Sequence, residues 1–371
     1  MENNFRYLDE LIHSDTNEIV LDADIVLSED DEVRYPEGIE LDVDDLVIDG
    51  NGHTIDAKGK TRIFTCTGEN NIIKNITLKN GFSGENGGAI IIEESELSII
   101  ESALSNNSAS EDGGAIHSDD GTLILKKSIF YENIAGDFGG AINNWGDLTV
   151  EETTFRQNRA KHGGAISNVD GKLNIIKSNI TQNMANKAGA IFNTDSELTI
   201  TQSIINENTA EDGGAILNED YGTIIIESTF NSNTAKNDGG AIHNSYELTI
   251  IESALNNNTA KNDGGAIRNH RADINITKSE FNNNLAKRNG GVMHNYDSEL
   301  RISESLFNEN MADFGGSIYN DKSILSIDES ILRKNVANNN GGAIKLINSK
   351  YEPNNCIFKD NKPHDVNEED S

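Results

Sequence analysis

The chain has 371 residues, with 62 acidic side chains against 30 basic ones and a formal charge of −32. That charge repels phosphate, which excludes nucleic acid and anionic membrane surfaces as partners. Apolar residues make up 35% without glycine, against roughly 45–50% counted with glycine in ordinary globular chains, and no apolar run reaches the ~18 residues that would span a membrane.

In chain order, residues 1–17 come first. Phe5, Leu8, Leu11 and Ile12 have helical spacing and predict a short helix that lies as a cap across the open end of the neighbouring coils. The first twenty residues carry Glu2, Asp9, Glu10, Asp15 and Glu18 without a continuous apolar stretch, so they do not read as a signal peptide. Residues 18–82 give irregular coils, with strands expected over 18–27, 41–49 and 72–78.

From residue 83 to 361 the chain repeats. A Gly-Gly-Ala-Ile signature begins at positions 87, 113, 139, 163, 188, 213, 239, 264, 290, 315 and 341. A short, regular period means one supersecondary unit stacked on copies of itself. Each unit also carries an apolar column that is never polar: Leu104, Phe130, Phe155, Ile180, Ile205, Phe230, Leu255, Phe281, Phe307, Leu332 and Phe358. Pairs such as Leu198-Thr199-Ile200 alternate with period two, the pattern of a strand with one buried face. The two glycines permit positive φ and read as a tight corner. Strands one coil apart then run in the same direction, so the fold class is all-β: a single-stranded parallel β-helix of thirteen to fourteen coils, ~4.8 Å each. No proline interrupts the chain between Pro36 and Pro353, as central strands require. Residues 362–371 turn polar and are expected to be disordered.

Asparagine forms two columns. Asn133, Asn158, Asn183, Asn208, Asn233, Asn258, Asn284 and Asn310 belong to the first, and Asn144 to Asn320 to the second. Stacked amides can bond to one another and to turn backbone, so both columns read as structural ladders. Cys66 and Cys356 fall some eleven coils apart, on the order of 50 Å at coil spacing, too far for a disulfide. The column that holds His117, His243 and His294 also holds Asn143, Leu217, Arg268 and Tyr319. Such variety predicts a solvent-facing column and no metal site. Asp112, Asp212, Asp238 and Asp263 precede glycine pairs, without the arranged carbonyls a calcium site needs.

Polysaccharide cleavage needs carboxylates about 5 Å apart for retention and more for inversion. So acidic a surface offers that spacing anywhere, while the uniform coils leave no room for a cleft. No catalytic residue and no cofactor are therefore assigned. Trp145, Tyr221, Tyr246 and Tyr296 come just after the second asparagine column. Exposed aromatics stack on sugar faces or anchor protein partners, which makes these four the candidate binding residues.

The combination of Gly-Gly-Ala-Ile with Phe-x-x-Asn resembles the polymorphic outer-membrane protein repeats of chlamydial autotransporters. Together with Leu46-Val47-Ile48-Asp49-Gly50-Asn51-Gly52-His53-Thr54-Ile55-Asp56 and Arg62-Ile63-Phe64, it is similar to the adhesin-like surface proteins of methanogenic archaea. The resemblance implies a right-handed, pectin-lyase-like solenoid at the cell surface or outside the cell. It implies a monomeric scaffold that binds a glycan or a surface protein of a host or neighbouring cell. A carbohydrate-active lyase or hydrolase is the alternative, and a plain spacer the second.

Overall fold

The structure, a computed structural model, describes residues 3–369. The chain forms two compact units, residues 1–184 and 185–371, and each is a parallel β-solenoid.

In the first unit, helix α1 (Phe5–Ile12) starts at Asn4, whose side chain accepts the Tyr7 N–H at 3.1 Å. Its buried face, Phe5, Leu8 and Ile12, covers strands Ile25–Val26 and Ile39–Leu41. A second helix, α2 (Glu29–Arg34), is not evident from apolar spacing but opens on a capping box formed by Ser28 and Asp31. The buried Asp31 carboxylate also accepts the Phe5 N–H at 3.2 Å and the Arg6 N–H at 3.3 Å. A negative charge at the positive end of α1 fixes the cap in place. Behind it, Glu18–Val20, Val47–Asp49, Asn71–Lys74 and Glu96–Ile100 pair successively in parallel.

The second unit shows a regular coil clearly. Strand Leu248–Ile251 ends at Glu252, strand Ala254–Asn256 at Asn257, and strand Thr259–Ala260 leads into Gly264. The three corner residues have φ of 48°, 56° and 65°. Each coil thus bends at left-handed single residues. Only the last corner needs glycine: a Cβ on Gly264 would lie 2.1 Å from the Ile267 carbonyl oxygen. The second glycine of the pair is required for another reason. A Cβ on Gly240 would lie 1.9 Å from the Gly265 carbonyl oxygen of the next coil, so it marks close coil stacking rather than positive φ.

The apolar column fills the core of each unit. Phe130 stacks on Phe155 with centroids 4.8 Å apart in the first, and Phe281 on Phe307 at 4.9 Å in the second. Beside it runs the asparagine ladder. Asn258 Oδ1 accepts the Asn233 backbone N–H at 3.0 Å and Asn233 Nδ2 at 3.1 Å, while its Nδ2 donates to the Phe230 carbonyl at 2.9 Å and to Asn284 Oδ1 at 3.1 Å. All the bonding capacity of the amide is used inside the protein. The serine column behaves alike: Ser253 Oγ donates to the Ile251 carbonyl at 2.8 Å and accepts the Ser228 N–H at 3.0 Å. Cys356 holds the same place at its coil, with Sγ 3.3 Å from the Asn354 carbonyl, and both cysteines are free thiols.

Two expectations are overturned. The histidine column does not face solvent: His117 and His294 are each 7% exposed. The residue after the repeat isoleucine tucks under the polar turn of the preceding coil, where His294 Nδ1 lies 3.2 Å from Asp263 Oδ2. Nor is the end of the chain without structure through residue 369. Val366–Glu369 forms a strand paired in parallel with Ile344–Ile347, because the free sheet edge offers a full set of backbone partners that polar composition does not reveal. Residues 370–371 lie outside the described residues.

Candidate functional site

The four aromatic candidates separate into three situations. Trp145, in the first unit, is 45% exposed and stands between Asn144 and Gly146, whose carbonyl accepts from Asn144 Nδ2 at 2.5 Å. Tyr296, in the second unit, is half-buried and already engaged. His270 stacks on it at 5.4 Å with a 7° interplanar angle, and Lys322 Nζ lies 5.2 Å from its ring centroid and 3.3 Å from its hydroxyl. Tyr221 and Tyr246 are 48% and 45% exposed and lie side by side, centroids 6.2 Å apart at 28°.

The buried asparagines set the position of this pair. Asn218 Nδ2 donates to the Tyr221 carbonyl at 2.8 Å and to Asn244 Oδ1 at 3.1 Å, and Asn244 Nδ2 donates to the Tyr246 carbonyl. The inner ladder thus grips the backbone of the tyrosines and turns both rings outward. Asp220 takes a φ of 70° beside Tyr221 and completes the bend.

Between the two rings and the neighbouring strands lies a groove of about 420 Å³, with Glu197, Thr199, Ile224, Glu247 and Thr249 among its walls. This is inside the ~300–1,000 Å³ range of ligand clefts. Thr199, Ile224 and Thr249 are register partners in successive strands and form its floor; Ile224 is 43% exposed. The uniform coils therefore do not leave a smooth surface. Local alternation hides this groove, because Thr223–Ile226 contains three consecutive isoleucines; the repeat aligns Ile224 with the outward Thr199, but only the assembled strands set it beside the two rings.

Other surface features are less suited to a ligand. A 480 Å³ hollow in the first unit is lined by Asp49, Glu101 and Lys127, among others. Asp49 is paired with Lys74 at 3.4 Å and Glu101 with Lys127 at 3.6 Å. The carboxylates before the glycine pairs are structural as well. Asp238 Oδ1 accepts the Asp263 N–H at 3.0 Å, and Asp263 Oδ2 pairs with Arg288 at 2.8 Å. Burial pushes the Asp263 carboxyl up, but the hydrogen bond from His294 and the Arg288 charge outweigh it and hold the group below its ordinary range. Burial depresses His294 and His243, and takes His117 down to about 4.

Residues 5–110 match the family described as "Putative pectate lyase-like adhesive domain". Residues 227–245 match the repeat of the Chlamydia polymorphic membrane protein. No curated protein matches the chain. Similar solved structures include the surface adhesin PfbA of Streptococcus pneumoniae, 11% identical over 98% of this chain and 89% of that one, with a TM-score of 0.49. Another is the A-module of the mannuronan C-5 epimerase AlgE6 of Azotobacter vinelandii, 11% identical over 99% and 94%, with a TM-score of 0.36.

Proposed function

We propose that this chain is a non-catalytic, adhesin-like module that works outside the cell or at its surface and holds a glycan in the Tyr221–Tyr246 groove. One observation carries the reading: two adjacent, outward-facing phenol rings, fixed from within by the Asn218–Asn244 ladder, above an exposed Ile224. Sugar rings present apolar C–H faces that stack on such a platform, and the threonines and glutamates at its edge can bond the hydroxyls. The matched description of residues 5–110 as an adhesive domain supports the same role. The acidic surface, with Glu197 and Glu247 in the groove itself, selects against polyuronates and favours neutral glycans.

The test is a glycan array probed with the whole chain, followed by an assay for reducing ends and unsaturated products. Binding to neutral glycans without product release is expected. Release of new ends would replace the adhesin by a hydrolase or lyase, and capture only of proteins would move the partner to that class.

A further inference from the structure

The strand at the end of the second unit carries a constellation that neither the repeat nor the groove explains. Lys345 is 2% exposed and, among the described residues, is the one lysine in the buried set. It occupies the column that holds His294 and Tyr319 in the two preceding coils. Its direct partner on the other side is Asn367 in strand Val366–Glu369. Parallel partners in register stand about 4.8 Å apart and point to the same face. Glu369, two residues beyond Asn367, points to that face too. The three side chains meet: Lys345 Nζ donates to Asn367 Oδ1 and lies 2.6 Å from Glu369 Oε2. A buried amine, a carboxamide and a carboxylate are thus held in contact by two strands whose pairing fixes their separation.

We infer that Lys345 and Asn367 form an intramolecular isopeptide bond, with Glu369 as the proton carrier. Glu369 takes a proton from the Lys345 ammonium and frees the nitrogen lone pair. That pair attacks Cγ of Asn367 and forms the new C–N bond. Glu369 passes its proton to Nδ2, the Cγ–Nδ2 bond breaks, ammonia leaves, and the carboxylate takes the remaining proton from the new amide nitrogen. Ammonia and the protonated carboxyl then exchange that proton. No oxidant or cofactor is consumed. Holding the reacting groups together replaces an encounter by an intramolecular step, and proton transfer by a positioned carboxyl is ordinary general acid–base chemistry. The side chain of Glu369 is largely open to solvent, which gives ammonia a way out. The product would tie Val366–Glu369 covalently to Ile344–Ile347, adding a bond to the backbone pairing of the two strands.

Mass spectrometry of the whole chain under denaturing conditions tests this. The wild type should weigh one ammonia less than its sequence, and digestion should give one branched peptide joining Lys345 to Asn367. Lys345→Arg should show the full sequence mass, and Glu369→Gln should remain largely unlinked. The full sequence mass in the wild type would overturn the inference. So would ammonia loss that persists in Lys345→Arg, since another asparagine would then be its source. Fragmentation of the branched peptide in the wild type keeps the result independent of whether the variants fold.

Discussion

In the second unit, the Asn208–Asn361 ladder and the Tyr221–Tyr246 pair are both like residues stacked at coil spacing, yet they differ in every physical respect. The asparagines are buried and their amides are saturated, as at Asn258 with two accepted and two donated bonds. The tyrosines expose nearly half their surface and stack on one another. Repetition therefore says that coils stack; whether a column holds the fold or faces a ligand depends on where its polar atoms find partners.

The largest effect should come from the ladder. Asn258→Ala removes four buried hydrogen bonds and is expected to cost about 3–5 kcal/mol, read as a lower midpoint in equilibrium urea unfolding. A loss near zero would mean that water replaces the amide and that the ladder is incidental.

The buried histidines sharpen the contrast through pH. His117 titrates near 4 in the folded chain because burial disfavours its charged form, against about 6.5 unfolded. The unfolded state then binds more protons between these values. Stability is unaffected above pH ~6.5 and falls as pH drops toward 4, by roughly 3 kcal/mol from His117. His243 and His294 shift in the same direction. Replacing His117 by Asn, the residue at the equivalent position 143, should flatten the fall; an unchanged pH profile would show that the imidazole is hydrated.

The tyrosines should respond in the opposite way. Tyr221→Ala with Tyr246→Ala is expected to lower glycan affinity at least tenfold, about 1.4 kcal/mol, with a stability change under about 0.5 kcal/mol. A large drop in stability with binding intact would make the pair a loop cover instead of a platform.

The smallest effect concerns a departure from the repeat. Ala188 stands where ten other coils have glycine and takes a φ of 57°. At the matching Gly213 a Cβ would meet the Ile216 carbonyl oxygen at 2.3 Å. Ala188→Gly should relieve about 1–2 kcal/mol of left-handed strain and lose about 0.4–1 kcal/mol through the freer unfolded chain. A net gain near 0.5–1 kcal/mol is expected in the same urea experiment.

The repeat period, the apolar column and the absence of proline determined the parallel coil from sequence alone, since like residues at a fixed interval can be buried together only by stacking. Helical spacing gave the α1 cap in the same way. The sequence did not show that the second glycine is there for coil approach, that the histidine column lies under the preceding turn, or that Val366–Glu369 pairs with Ile344–Ile347. Those outcomes depend on contacts between coils, which no local pattern encodes. The candidate site was half legible: four aromatics stood out by type and position, but register alone put Ile224, Glu197 and Glu247 beside two of them, and neighbouring side chains removed Tyr296. The meeting of Lys345, Asn367 and Glu369 was decided wholly by tertiary structure, because a lysine in a repeat coil and two polar residues 22 and 24 positions later come together only when parallel pairing of their strands puts them on the same face.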